Sequence, residues 1–226
     1  MTEALFPLAL LGALLGLDTV SFPQAMLSRP LVAATLGGAM AGSPMDGLLI
    51  GAALELIALE TLPFGASRYP EWGSASMVGG ALFASAHAQP AGSSALAIIA
   101  ALATAWIGGW TMVKLRQLNA RWAAQSQPAL DAGARGAVIG LQLKCMTADL
   151  VRGFLLTIAA LIVFAPLTEA SLALWSLDAR TSRAVAVAVA TSVAAGAAWK
   201  LFHGSTPAKW TFVAGLGAGL TMMVTR

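Results

Sequence analysis

Charge is the scarcest resource in this chain. Of its 226 residues only 10% are Asp, Glu, Lys or Arg, whereas a water-soluble globular domain carries about 25%. So few charged groups cannot coat a surface that faces water on all sides. Hydrophobic residues make up 58%, which excludes intrinsic disorder, since disorder requires low hydrophobicity. The net charge of +3 comes from few groups and forms no basic arm. Aromatic and basic residues are not interleaved as a nucleic-acid surface requires, so no nucleic-acid partner is expected. The bilayer is the solvent that suits this composition.

A membrane-spanning helix needs about 20 apolar residues. The apolar segments are 4–17, 31–42, 47–59, 77–86, 95–113, 150–165, 184–199 and 210–224, and only 95–113 reaches ordinary spanning length. Several are interrupted by Pro30, Gly42-Ser43-Pro44, Pro63 and Pro90. Short apolar stretches read as re-entrant or buried helices, which survive at membrane depth only beside protein or a wet cavity. The expected fold is therefore an all-α integral membrane protein, a polytopic bundle with short, discontinuous helices. Residues 1–226 are expected to form one membrane-embedded domain. The first segment lacks a basic leader and contains Pro7, so it is expected to stay in the mature chain. Gly37-Gly38, Gly79-Gly80, Gly108-Gly109 and the series Gly215, Gly217, Gly219 are expected to let helix backbones approach closely.

Basic residues cluster after the longest segment: Lys114, Arg116, Arg121, Arg135, Lys144 and Arg152. The positive-inside rule places this connection, about 114–149, in the cytoplasm. Leu115, Leu118 and Trp122 fall at helical spacing within it. That pattern suits a helix lying on the anionic leaflet and ending near Pro128, or a solvated helical loop.

Ionisable groups at membrane depth are costly, about 2.5 to 3.5 kcal/mol at mid-helix. Glu55 lies within Leu-Glu55-Leu-Ile in an apolar segment, so its carboxylate must meet protein, water or ligand, or be protonated. It could accept hydrogen bonds from two adjacent hydroxyls of a polyol, or pair with Arg29 or a backbone amide. Asp18, Ser21, Gln24, Ser28 and Arg29 form a second group between two apolar runs, where Pro23 and Pro30 break the helix. There Gln24 offers both donor and acceptor, while Asp18 and Arg29 suit a helix cap and an interfacial anchor as well as a site. A third group runs from Glu60 through Pro63 and Gly65 to Arg68, Tyr69 and Trp72. It reads as a turn followed by an interfacial aromatic belt, with sugar stacking on Trp72 as the other option.

The lone Cys145 cannot form an internal disulfide, and His87 and His203 lack metal-ligand neighbours. No metal site, cofactor or Walker motif is expected.

In these same residues the chain resembles the IIC subunits of the mannose/fructose/sorbose-type sugar phosphotransferase system (PTS). The resemblance runs over Leu17-Asp18, Gln24-Ala-Met-Leu-Ser28-Arg29-Pro30-Leu-Val-Ala, Gly47-Leu-Leu-Ile-Gly-Ala, Leu54-Glu55-Leu and Leu62-Pro63-Phe-Gly65-Ala66. It resumes in Leu118-Asn119-Ala-Arg121 and Leu150-Val-Arg152-Gly153, and the last seventy or so residues match only as apolar segments. It implies a sugar-translocating subunit of the bacterial inner membrane, paired with a IID subunit in a trimeric complex that uses broken helices and an elevator-like movement. A cytoplasmic IIB protein, charged on histidine by IIA, would phosphorylate the hexose, and the IIC subunit itself would carry no phosphoryl group. The family's intramembrane glutamate maps onto Glu55, which is expected to hold sugar hydroxyls; Gln24 would share that contact, and Asp18 and Arg29, also expected in the substrate site, would position the broken helix. The chain departs from the family pattern at Ser43, where an Asp is frequent, at Glu60, and at Pro63, where some members have Asn. After the Gly-Ala pair it has Tyr69-Pro70-Glu71-Trp72-Gly73 in place of a Pro-Pro-acidic segment. Three other readings stand beside this one: a degenerate subunit that transports nothing, an ion-coupled secondary transporter using Glu55 and Glu60, and an intramembrane hydrolase built on Ser43 with His87 or His203.

Overall fold

Pro30 and Pro44 each open a helix, at positions where the missing N–H costs nothing and the fixed φ helps. In the computed structural model, which describes residues 4–59, 61, 67–86, 92–174, 178–204 and 206–224, the eight apolar segments all fall on helices. These are α1 (Leu5–Asp18), α2 (Pro30–Met40), α3 (Pro44–Ala58), α4 (Trp72–Ser85), α5 (Gly92–Asp131), α6 (Arg135–Ala173), α7 (Ala179–Phe202) and α8 (Thr206–Val224). No strand occurs among the described residues. At 1.5 Å per residue, α2 with its 11 residues is about 16 Å long and cannot cross about 30 Å of hydrocarbon. It folds back on α3 through a turn at Gly42, whose φ of +99° an L side chain rarely adopts. The discontinuous helices expected from the sequence are thus present. Among the described helices, α5, α6 and α7 are long and apolar enough to cross a membrane.

The centre of the molecule is α4, buried on every side from Trp72 to Phe83. A helix apolar all round belongs inside a bundle, and α4 packs against α1, α2, α3, α5 and α6. Glycine makes this possible. A Cβ on Gly80 would strike the Ala34 carbonyl of α2, one on Gly37 would strike the Met77 carbonyl of α4, and one on Gly73 would strike the Leu15 carbonyl of α1. At the α2–α3 seam a Cβ on Gly38 would lie 2.6 Å from the Gly47 Cα. Close backbone approach of this kind holds helices together in lipid, where burial of apolar surface gives no net drive. The series Gly215, Gly217 and Gly219 departs from this expectation: it faces open space in this chain.

The basic connection is not a separate surface helix. α5 runs unbroken for 40 residues, about 60 Å, twice the hydrocarbon thickness. Pro128 lies inside its last turn instead of ending it, and the Ala124 carbonyl there goes without its usual amide donor. The chain reverses at Gly133 (φ +68°) and returns as α6. Lys114, Arg116 and Arg121 therefore sit on one arm of a helical hairpin, Arg135 and Lys144 on the other, with the Lys144 ammonium 4.2 Å from the Trp122 ring centroid. Arg152 does not belong to this basic surface; its side chain is only 9% exposed.

α7 joins the bundle through Val189 and Val193, packed on the cluster of Ile50, Leu54, Phe83 and Ile98. The Lys200 Nζ donates to the Ile57 carbonyl at 2.6 Å, satisfying an orphan acceptor in the last turn of α3. Lys200→Met is expected to cost about 1–2 kcal/mol, read as a lower thermal midpoint of the solubilised protein, with Lys200→Arg close to wild type. An unchanged midpoint in Lys200→Met would remove this contact from the account of how α7 attaches.

Candidate functional site

Four interrupted helices end around one cavity of about 350 Å³, within the roughly 300–1,000 Å³ usual for small-ligand sites. Asp18 and Thr19 come from the end of α1, Gln24, Met26, Ser28 and Arg29 from the 19–29 loop, and Pro30 from the start of α2. Ala58, Thr61 and Trp72 close the other side.

The loop is shaped from within by Asp18, which is only 2% exposed. Its Oδ1 accepts from the Ala25 amide at 2.7 Å and its Oδ2 from the Ser28 amide at 2.8 Å. On either side of Ala25, Gln24 and Met26 take φ values of +58° and +62°. Non-glycine residues in that region carry strain that surrounding contacts must hold. The Gln24 side-chain Nε2 donates to the Val20 carbonyl at 2.8 Å. Asp18 thus pins the loop rather than capping a helix, and the loop it holds forms one wall of the cavity.

Glu55 stands one step behind that wall. Its Oε1 accepts from the Arg29 guanidinium and its Oε2 from the Leu31 amide at 3.1 Å. Both pairings left open from the sequence are present. Asp18, Gln24 and Arg29 line the cavity directly, while Glu55 reaches it through Arg29.

Trp72 is the main residue misjudged from the sequence. It is 9% exposed, not part of an interfacial belt, and its indole N–H donates to Thr61 Oγ1 at 2.9 Å. Tyr69 is buried as well, with the Arg116 guanidinium 4.7 Å from its ring centroid, whereas Arg68 stacks over the exposed Trp106. The signal for burial was the run Gly73-Ser-Ala-Ser76 after Trp72, whose small side chains mark a helix enclosed by others. Glu60, Pro63, Gly65 and His87 lie outside the described residues.

A second polar group lies behind the loop and was not foreseen. Asp149, 2% exposed, accepts from Arg152 Nε at 2.9 Å and from Ser21 Oγ at 2.7 Å. The buried Glu71 caps α4 by accepting from the Ser74 amide at 3.1 Å. Ser43 precedes α3, and His203 Nδ1 bonds the Lys200 carbonyl of its own helix at 2.8 Å.

The comparisons with known proteins fit this architecture. A solved structure described only as a membrane protein superposes with a TM-score of 0.69 at 20% identity, covering 100% of this chain and 94% of the other. A cryo-EM structure of the mannose transporter ManYZ with microcin E492 gives a TM-score of 0.63 at 21% identity, covering 100% and 94%. At such identities the likeness establishes the fold. The chain has no match among curated protein sequences. The model of the PTS sorbose-specific IIC component matches residues 4–198, nearly the whole chain. Helices of spanning length, broken helices around a cavity and this match together make it a membrane protein that belongs to the family of sorbose-specific IIC components of the PTS.

Proposed function

We propose that this chain is the sugar-translocating IIC subunit of a mannose-family phosphoenolpyruvate-dependent phosphotransferase system. It binds a hexose in the cavity and passes it inward for phosphorylation by a IIB partner. The observation that carries this reading is the cavity at the meeting point of interrupted helices, where transporters place their substrates. Its lining suits a sugar: an indole for the apolar face of the ring, and the side chains of Gln24, Thr19, Ser28 and Thr61 for hydroxyls. Arg29 and Glu55 complete the polar side, and Asp18 keeps the loop in place.

The same reading supplies the setting. The protein crosses the bacterial inner membrane several times as a single domain, with the basic hairpin of about 114–149 on the cytoplasmic side. A IID subunit is its membrane partner, and IIA and IIB deliver the phosphoryl group. The complex is a trimer, the IIC subunit carries no phosphoryl group, and no cofactor takes part. Similarity to a mannose transporter supports a mannose-type hexose.

Equilibrium binding of radiolabelled mannose to the complex purified with its IID partner tests this. Wild type is expected to bind, Trp72→Ala about tenfold or more weakly, and Trp72→Phe in between. No binding of mannose, sorbose or fructose by the wild-type complex would sink the reading. Equal affinity in Trp72→Ala would move the sugar out of this cavity.

A further inference from the structure

The loop that lines the cavity has no apolar core beneath it. Phe22 is 60% exposed and Met26 74%, so burial does not hold residues 19–29 in place. Its local bonds are short-range: Ser21 and Phe22 amides to the Leu17 carbonyl, at 3.0 and 3.2 Å, and the Arg29 amide to the Met26 carbonyl at 3.2 Å. Asp18 secures the second half, at Ala25 and Ser28. The first half has one long-range side-chain bond, from Ser21 Oγ to Asp149 Oδ2 at 2.7 Å, joining residues 128 apart.

Asp149 is built for that task. Arg152 Nε donates to its other oxygen at 2.9 Å, with Nη2 at ion-pair distance, and the two side chains are 3% and 9% exposed. A carboxylate already fixed in place by its cation holds a donor at a smaller cost in side-chain entropy than a mobile one. The helices make room for it. A Cβ on Gly153 would lie 3.0 Å from the Ala13 Cα, so α6 runs close against α1. The tether therefore joins the cavity wall to the helix that continues into the basic hairpin.

We infer that Asp149, held by Arg152, is a positioning residue that sets the sugar-facing loop through Ser21. This inference rests on the cavity being the sugar site, and its test separates the two. Ser21→Ala removes only the tether and leaves the Asp149–Arg152 pair intact, whereas Asp149→Ala would strand a buried cation and endanger folding. In the purified complex, amide hydrogen exchange across residues 19–29 is expected to quicken in Ser21→Ala and to return to the wild-type rate in Ser21→Thr, which keeps the hydroxyl. Mannose affinity should fall roughly three- to tenfold in Ser21→Ala, with IID co-purification and the thermal midpoint unchanged.

Unchanged loop exchange in Ser21→Ala would overturn the inference. So would an affinity loss that tracks a lower midpoint or that Ser21→Thr fails to rescue. Faster exchange in Ser21→Ala, with no mannose bound even by wild type, would leave the tether standing and remove the sugar reading instead.

Discussion

Gly80→Val is expected to abolish folded protein, read as loss of the monodisperse peak when membranes are solubilised. A side chain at position 80 would occupy the space of the Ala34 carbonyl group. That obstacle is backbone, so no rotamer change relieves it and α2 must move away from α4. The seam is tight from both directions, since Gly37 of α2 abuts the Met77 carbonyl of α4. α2 is also packed tightly on α3 through Gly38 and Gly47, so it cannot retreat from α4 without disturbing that second seam. Overpacking commonly costs about 1–3 kcal/mol and occasionally more. Displacing a whole helix from a fully buried neighbour belongs at the high end, against a total stability of about 5–15 kcal/mol. Gly140→Val is the control: nothing lies within 4 Å of a Cβ there, and the protein should accumulate normally. A normal peak from Gly80→Val would mean that the α2–α4 seam is looser than its glycines imply.

Much of this fold was legible because hydropathy and helix breakers are local properties. Each apolar segment lies on its own helix, and Pro30, Pro44 and Gly42 mark the re-entrant turn where they stand. The hairpin was harder to read. Lys114 and Arg116 end the apolar run without ending the helix, because a helix that leaves the hydrocarbon changes its surface chemistry while its backbone continues. Pro128 then looked like a stop, although only three helical residues follow it and the helix ends at Asp131.

The site was legible where its chemistry is local and illegible where it depends on packing. Asp18 precedes a stretch with two prolines, and a carboxylate there has loop amides to accept from. Glu55 stood out because a charge in an apolar segment requires a partner. Trp72 sits beside Arg68 and Tyr69, a combination that also makes an interfacial belt, and only the helices around α4 decide that it is enclosed. Nothing near Ser21 in the chain announces Asp149, 128 residues away.

Glu55→Gln should lower hexose uptake by the IIC–IID complex about tenfold or more while leaving the complex assembled. The native carboxylate faces two donors, Arg29 at one oxygen and the Leu31 amide at the other. A glutamine of the same shape has one acceptor oxygen, so its NH₂ must face either the guanidinium or the amide N–H. Either choice puts donor against donor. Leu31 belongs to the helical backbone and does not move, so Arg29 is the group released, into a cavity that it already lines. The pair is partly exposed, with side chains 47% and 21% accessible, which limits the cost to stability and keeps assembly intact. Arg29→Glu combined with Glu55→Arg separates two roles. The swap rebuilds the ion pair but moves the carboxylate to the loop and leaves the Leu31 amide without its acceptor. Uptake that stays low in the swapped protein, with assembly preserved, would assign the carboxylate's position to sugar binding. Uptake restored to the wild-type level would make the pair a structural clasp and take Glu55 out of the sugar contact.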